Sequence, residues 1–136
     1  MVDIVDRATR SRMMAGIRGT NTVPELAVRR FLHRSGFRFR LHGRQLPGRP
    51  DVVLPKYRAA VFVHGCFWHR HPGCRFATTP ATRRAFWQGK FRENVERDRR
   101  QQRALRSAGW RVFVVWECEL DRPRRLQRLC KELARG

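Results

Sequence analysis

The sequence predicts an α/β fold in which a mixed β-sheet is flanked by helices. Helical and strand periodicities follow one another in the order helix, three strands, helix, strand, helix, which is typical of such a sandwich. The 136 residues suffice for one compact domain with a sizeable core and leave little room for a second. Since neither an internal repeat nor a linker divides the chain, we expect residues 1–136 to form a single domain.

The first half of the chain is expected to supply a capped helix and three strands. Residues 7–18 can form a short basic helix, and Thr22 or Asn21 caps a second helix that carries Pro24 near its first turn and ends at Gly36. Alternating apolar and Arg residues predict a strand over 37–41, and LPGRP at 46–50 predicts a turn. Short apolar runs predict strands over 51–54 and 59–63.

The second half is expected to supply two helices and one further strand. Thr82 is predicted to cap a long, Arg-rich helix that begins RRAFWQGK and stops at Gly109. The run WRVFVVW at 110–116 predicts a buried strand, with Trp110 and Trp116 on one face in the core. Residues 122–134 are predicted to close the chain as a basic amphipathic helix.

The charge of the chain indicates a polyanionic partner. Lys and Arg total 31 against 11 Asp and Glu, so the formal net charge is +20. Such a field favours nucleic acid over a merely solvated basic surface, since solubility needs far less charge. No segment has transmembrane length, and the N-terminus lacks the apolar core of a signal peptide. We therefore expect no membrane partner and free thiols in a reducing cytosol.

The segment HGCFWHRHPGC at 64–74 predicts a metal site. Cys66, His71 and Cys74 lie on one loop at metal-like spacing, and Cys118, just past the last strand, is the natural fourth ligand. Three thiolates and one imidazole suit a closed, structural zinc site; the alternative is that these cysteines are ordinary small hydrophobes. Cys130, far along the chain, is expected to be a core thiol.

The few carboxylates allow a candidate nuclease centre to be found by elimination. Local i,i+4 pairing on Arg-rich helices accounts for Glu93, Glu96, Asp98 and Glu132, the chain end for Asp3 and Asp6, and the loop around Cys118 for Glu117, Glu119 and Asp121. Glu25 and Asp51 remain. Strand pairing should bring Asp51 close to His64, and His69 is spare if His71 binds zinc, so these three predict an active site. A solvated strand-start aspartate is the alternative for Asp51.

Two aromatic residues lie inside the same loop. Phe67 and Trp68 separate a zinc ligand from the candidate base, where apolar rings are expected either to pack inward or to wedge into a partner. Insertion between base pairs is an established way to distort a duplex. Trp87, at the start of the following helix, is expected to join them.

At this point the sequence resembles a known family, the very short patch repair endonucleases, which nick DNA at T:G mismatches and have a restriction-endonuclease-like fold. The matching stretches are Asp6, ATRS at 8–11, Met14, Ile17, Thr22, Glu25, LPGRPD at 46–51, VFVHGCFWH at 61–69, PATR at 80–83, FW at 86–87, NVERD at 94–98, GWRV at 109–112 and VWEC at 115–118. They cover nearly all of residues 3–120 in order.

The resemblance implies roles for individual residues. It implies a catalytic magnesium ion bound by Asp51 and the main-chain carbonyl of Val63, with His69 as general base, His64 assisting and Glu25 in support. It also implies zinc ligation by Cys66, His71, Cys74 and Cys118, and a DNA wedge of Phe67, Trp68 and Trp87. Residues 1–20 would be a basic arm that grips the duplex, with Arg10 and Arg49 among the DNA-binding residues.

Three features depart from related patterns. The strand AAVFVHG lacks the acidic-x-Lys motif usual for the fold class, and histidines replace it, as in the repair family. The segment HRHPGC carries one more residue before its cysteine than well-known members have, and Val63 stands where some members have threonine. A main-chain ligand tolerates the second change.

The resemblance further implies a monomeric bacterial enzyme that works in the cytoplasm at the nucleoid. Its substrate would be double-stranded DNA carrying thymine opposite guanine, the product of 5-methylcytosine deamination. Mismatch repair proteins and a cytosine-5 methyltransferase are implied as functional partners. Two alternatives stay open: a related metal-dependent nickase or restriction-type enzyme of different specificity, and a non-catalytic zinc-stabilised DNA-binding module.

Overall fold

The computed structural model describes residues 22–135 as a mixed α/β structure with three helices and four strands. The elements are α1 (Val23–Arg34), β1 (Arg40–Leu41), β2 (Val52–Leu54), β3 (Ala59–His64), α2 (Arg84–Ser107), β4 (Arg111–Trp116) and α3 (Pro123–Ala134). Short 3-10 turns cover Pro55–Tyr57 and Glu117–Asp121. The order expected from the sequence is confirmed, whereas the helix expected at 7–18 lies outside the described residues.

The four strands form one mixed sheet in the order β1-β2-β3-β4. The first three strands are antiparallel neighbours, with Val52 opposite Val61, and β4 runs parallel to β3, with His64 opposite Trp116. A parallel neighbour requires a crossover, and α2 supplies it. The carboxyl ends of β3 and β4 therefore lie side by side, and the loops that follow them meet.

The core lies on both faces of the sheet. Val52, Leu54, Ala59, Val61 and Val115 pack with Val28 and Leu32 of α1 and with Leu129 and Leu133 of α3. Ala60, Phe62 and Leu105 of α2 form a smaller cluster on the other face. Because side chains alternate along a strand, His64 continues the face of Ala60 and Phe62. This alternation directs His64 toward the α2 side of the sheet.

Local sequence explains both ends of α1. The Thr22 hydroxyl accepts a hydrogen bond from the Glu25 N–H, and the Glu25 carboxylate accepts one from the Thr22 N–H, so the predicted cap is confirmed as a capping box. At the other end Gly36 has φ +88°, and the N–H groups of Gly36 and Phe37 donate to the carbonyls of His33 and Leu32. This Schellman closure is the stop that the glycine predicted.

The strand expected over 37–41 is wrong in its extent, since only Arg40 and Leu41 pair with β2. The Phe37 N–H donates to the Leu32 carbonyl at the end of α1, so it is not available for a hydrogen bond in the sheet. Phe37 and Phe39 nevertheless pack against the larger core cluster. The apolar alternation was therefore a signal of burial, not of strand pairing.

Two expectations for the second half also need correction. Thr82 does not cap α2, because Arg83 occupies that position in a left-handed conformation and makes no side-chain cap. The strand at 110–116 is not deeply buried: β4 is a sheet edge, and only Val115 in it is fully buried. By contrast, α2 ends next to Gly109 (φ +89°), and α3 falls within one residue of its predicted start.

The described helices include none that is both long enough and apolar enough to cross a membrane. The expectation of a basic N-terminal arm falls on residues outside those described.

Candidate active site and metal-binding cluster

Asp51 lies immediately before β2, at the mouth of the β2–β3 hairpin. Its Oδ2 accepts a 2.7 Å hydrogen bond from the Val63 N–H, which fixes the carboxylate against β3. Burial raises the pKa of the Asp51 carboxyl to about 6, and the nearby Glu25 charge acts in the same direction. Among residues 22–135, no Arg, Lys or His side chain forms an ion pair with Asp51. The carboxylate is thus partly desolvated and has no direct cationic partner in the described part of the chain, which suits a bound cation.

His64 and His69 lie face to face at the end of β3. Their ring centroids are 3.9 Å apart and the planes differ by 6°. Burial and the neighbouring His69 lower the pKa of His64 to about 3, so His64 is neutral throughout the physiological range. The two imidazoles predicted to share a site with Asp51 are therefore brought together, and a positive charge on His69 would lower the pKa of the Asp51 carboxyl.

Asp98 is a site residue that the sequence analysis missed. Its Oδ2 lies 2.7 Å from Nδ1 of His69, so Asp98 orients the ring rather than pairing only within the helix. His64, His69 and Asp98 place their ligand or base atoms within 4.8 Å of one another. The local explanation by i,i+4 pairing was wrong for this residue, since its partner lies 29 positions away in the chain. In the sequence, Asp98 is marked by its place in NVERD at 94–98, one of the stretches that resemble the repair family.

Glu25 lies in a buried polar cluster on α1, next to the Asp51 site. The residue is only 1 % exposed, and its Oε1 lies 2.7 Å from a guanidinium nitrogen of Arg29 and 2.9 Å from Nε2 of His42. The main-chain N–H of His42 donates a hydrogen bond to the main-chain carbonyl of Asp51. Glu25 is thereby connected to Asp51 through one residue, which agrees with a supporting position. The sequence analysis did not identify Arg29 or His42.

The four residues predicted to bind zinc come together at the opposite side of the histidine loop. The ligand atoms of Cys66, His71, Cys74 and Cys118 all lie within 4.8 Å of one another. Sγ of Cys74 and Sγ of Cys118 are 3.9 Å apart, and Nδ1 of His71 is 3.3 Å from Sγ of Cys118. A tetrahedral ion with metal–sulfur bonds of about 2.3 Å separates its sulfurs by about 3.8 Å. Donor type and spacing therefore fit one four-coordinate soft metal ion.

Burial acts on the Cys66 thiol of this cluster and raises its pKa to about 12. A bound metal ion would act in the opposite direction, because a coordinating thiol is deprotonated. The cluster is a candidate metal site, and the extra residue in HRHPGC does not prevent its assembly.

Trp116 lies between the two sites, not in the core. Its ring stacks on His71 at a centroid distance of 4.3 Å and meets His64 edge-on at 5.2 Å. Trp110 packs against the smaller core cluster, as expected. The expected core position is wrong for Trp116. Trp116 instead contacts both His71 of the candidate metal cluster and His64 of the candidate active site, because β4 brings it opposite His64.

Phe67, Trp68 and Trp87 form one aromatic cluster, as expected. The Phe67 and Trp68 rings meet edge-on at 4.9 Å, and Trp87 contacts both, at 6.0 and 5.7 Å. All three are partly exposed, and Phe86 beside them is 50 % exposed. The cluster is anchored inward by Phe91, which is buried. The cluster is thus held on its inner side by the protein and is exposed on its outer side, which suits insertion between base pairs.

The remaining predicted residues are dispersed. Arg49 is exposed on the turn that leads into Asp51 and adopts a positive φ of 47°. Arg10 lies outside the described residues. Cys130 is partly buried and packs against the larger core cluster, away from the other cysteines, which agrees with a core thiol.

Comparison with known proteins decides the family. Residues 2–75 match the family model described as DNA mismatch endonuclease Vsr. The chain is 50 % identical over 121 residues to the type II nicking enzyme V.XorIIP of Xanthomonas oryzae, an alignment that covers 89 % of this chain and 88 % of the relative. It is 48 % identical over 120 residues to the DNA mismatch endonuclease Vsr of Escherichia coli, covering 88 % and 76 %. The type II nicking enzyme V.NmeAIP of Neisseria meningitidis is 42 % identical, with 98 % and 97 % covered.

The chain belongs to the Vsr family of DNA mismatch endonucleases.

Membership in the Vsr family identifies the chain as a DNA endonuclease that hydrolyses phosphodiester bonds. The resemblance noted in the sequence is therefore confirmed. This membership excludes the alternative of a non-catalytic DNA-binding module. A nuclease of this family is expected to use a divalent metal ion.

The raised pKa of Asp51 predicts that this Vsr-family chain is more stable without the carboxylate. The folded state binds a proton at Asp51 up to about pH 6, whereas the unfolded chain releases it near 3.8, so stability falls as pH rises between these values. Asp51→Asn cannot ionise and keeps an oxygen for the Val63 N–H. We expect it to raise the free energy of unfolding by about 2 kcal/mol at pH 7.5 without added magnesium, measured by urea denaturation, and by less than about 1 kcal/mol at pH 4.

The exposed Asp121→Asn is the matched control and should change neither value. An Asp51→Asn protein no more stable than wild type at pH 7.5 would contradict the proposed desolvation of this carboxylate.

Proposed function

We propose that this enzyme nicks DNA 5′ of a thymine mispaired with guanine, by magnesium-dependent hydrolysis that leaves a 5′-phosphate and a 3′-hydroxyl. The observation that carries the proposal is the partly buried Asp51 carboxylate, which has no ion-pair partner within residues 22–135 and shares a site with the His69–Asp98 pair. We further propose that residues 1–136 form a single nuclease domain with a restriction-endonuclease-like fold. Its mixed sheet, with the site at the mouth of a hairpin, supports that assignment.

Asp51 and the Val63 main-chain carbonyl would hold the magnesium ion. Carboxylate and carbonyl oxygens are the ligands that magnesium prefers, and the raised pKa of Asp51 reflects a negative charge that a cation would stabilise. When bound, the ion would polarise the scissile phosphate and offset charge on the leaving oxygen. Glu25 is already engaged by Arg29 and His42, so its role would be to support the Asp51 region electrostatically.

His69 is the proposed general base. With Nδ1 donating to Asp98, Nε2 is left to accept the proton of the attacking water, and the Asp98 carboxylate stabilises the imidazolium that results. His64, neutral because of its low pKa, stacks on His69 and limits its rotation. The proton therefore moves from water to Nε2 of His69 as the water oxygen forms a bond to phosphorus. The P–O bond to the 3′ oxygen breaks, and that oxygen takes up a proton from solvent to become the 3′-hydroxyl.

The aromatic cluster is proposed to recognise the mismatch by distortion. Phe67, Trp68 and Trp87 would insert beside the T:G pair, where weaker stacking lowers the cost of unstacking. Arg49, exposed next to the catalytic carboxylate, would contact the phosphate backbone, and Arg10 and the basic segment 1–20 would grip the duplex. The net charge of +20 supports a substrate that is double-stranded DNA.

The four-ligand cluster is proposed to bind structural zinc. Four protein ligands leave no open position for substrate, so the ion would fix the loop that carries Trp68 and His69. We also propose that the protein acts as a monomer in the bacterial cytoplasm, where its chromosomal substrate is. A functional link to mismatch repair proteins and to a cytosine-5 methyltransferase follows from the proposed lesion.

The specificity is tested by nicking of end-labelled duplexes that differ at one pair. Duplexes with T:G, U:G or paired centres are incubated in several flanking contexts, with magnesium or EDTA. We expect magnesium-dependent cleavage 5′ of the mismatched thymine, at least about a hundredfold faster than at paired DNA, and near-complete loss in Asp51→Ala with binding retained. Preferential cleavage of paired DNA or of another mismatch would refute the T:G assignment while keeping the nuclease centre.

The zinc assignment is tested by exchanging single cysteines. Wild type and Cys130→Ser are expected to carry about one zinc ion per chain by native mass spectrometry, whereas Cys118→Ser should lose it and unfold at a lower temperature. Cys130 is the matched control, because it is partly buried like Cys118 but lies outside the cluster. Retention of stoichiometric zinc in Cys118→Ser, or its absence from wild type, would overturn this assignment.

A further inference from the structure

One face of α2 contacts the histidine loop along four consecutive loop residues. Trp87, Phe91, Asn94 and Asp98 recur at helical spacing and form this face. Trp87 and Phe91 pack on Phe67, Phe91 also lies under the guanidinium of Arg70 at 4.0 Å, Asn94 bonds Trp68, and Asp98 bonds His69. The same rigid helix therefore holds both the proposed wedge and the proposed base.

Asn94 makes the contact that joins the two. Its side-chain Nδ2 donates to the Trp68 carbonyl at 3.2 Å, and its Oδ1 accepts from Arg97 at 3.0 Å. The residue is only 6 % exposed, so this amide is a buried polar group with both ends satisfied. The Trp68 carbonyl belongs to the planar peptide unit that links Trp68 to His69. Asn94 thus fixes the plane between the two residues, one helical turn from the Asp98 that orients the His69 ring.

We propose that Asn94 is a positioning residue that couples insertion of the Trp68 ring to the placement of His69. This inference rests on the proposed function, in which Trp68 is a wedge and His69 the base. Stacking of the Trp68 ring between bases pulls on its backbone. With its carbonyl fixed to α2, that pull cannot rotate the following peptide and turn His69 away from Asp98. Insertion of the Trp68 ring at the mismatch and alignment of His69 as general base then occur together.

A double-mutant cycle measures this coupling directly. Single-turnover nicking of the T:G duplex at saturating enzyme is compared for wild type, Trp68→Ala, Asn94→Asp and the double variant, together with DNA affinity. Asn94→Asp keeps the size of the side chain and the acceptor for Arg97 but removes the N–H donor. Glu93→Ala, exposed one position earlier on α2, is the control. Unfolding midpoints are recorded for all, and Asn94→Ala replaces Asn94→Asp if the latter does not fold.

We expect Asn94→Asp to slow nicking about tenfold with affinity changed less than about twofold, since a small misplacement of a catalytic group lowers rate more than binding. In the Trp68→Ala background the same change should cost less than about twofold, because no inserted ring remains to be coupled. The Glu93→Ala control should match wild type.

If Asn94→Asp slowed nicking equally in the wild-type and Trp68→Ala backgrounds, or slowed it in neither, the coupling would be refuted while the proposed function stayed intact. Wild-type nicking by Trp68→Ala and by His69→Ala would instead refute the proposed function, and this inference with it.

Discussion

The loop from Gly65 to Cys74 depends on being fixed from two sides. Four ligand atoms gather it against the end of β4, and α2 holds it through Asn94 and Asp98. A loop of this polarity and length has little core of its own, so its conformation must come from such contacts. Because the two attachments flank the aromatic rings and His69, the proposed recognition and the proposed chemistry share one short segment.

The Asp51 carboxylate illustrates the cost of such an arrangement. Asp51 is held by a single N–H of β3 in a partly desolvated position, and this burial raises its pKa. Within residues 22–135 no cationic side chain forms an ion pair with it, and Arg29 and His42 are engaged by Glu25. Desolvation of this carboxylate lowers stability, which is the cost expected of a site proposed to bind a cation.

Sequence patterns predicted most of the fold but not all of the site. The capping box at Thr22, the glycine stops and the order of elements depend on local chemistry, so they could be found in the sequence. The partial exposure of β4 could not, since periodicity does not tell which strand will be a sheet edge. Asp98 was missed for a similar reason: a local pairing rule explained it, whereas its partner is brought near only by the crossover of α2. The candidate metal cluster was predicted from the sequence because Cys and His are rare donor types and three of its four residues are closely spaced.

The most direct test of the central claim, that His69 is the base of an Asp51-dependent hydrolysis, is chemical rescue of His69→Gly. Single-turnover nicking of a T:G duplex is measured for this variant and for Asp51→Ala, with and without added imidazole. We expect at least about a hundredfold loss in His69→Gly, partly restored by imidazole, and no restoration in Asp51→Ala. Wild-type nicking by His69→Gly, or equal stimulation of both variants by imidazole, would contradict it.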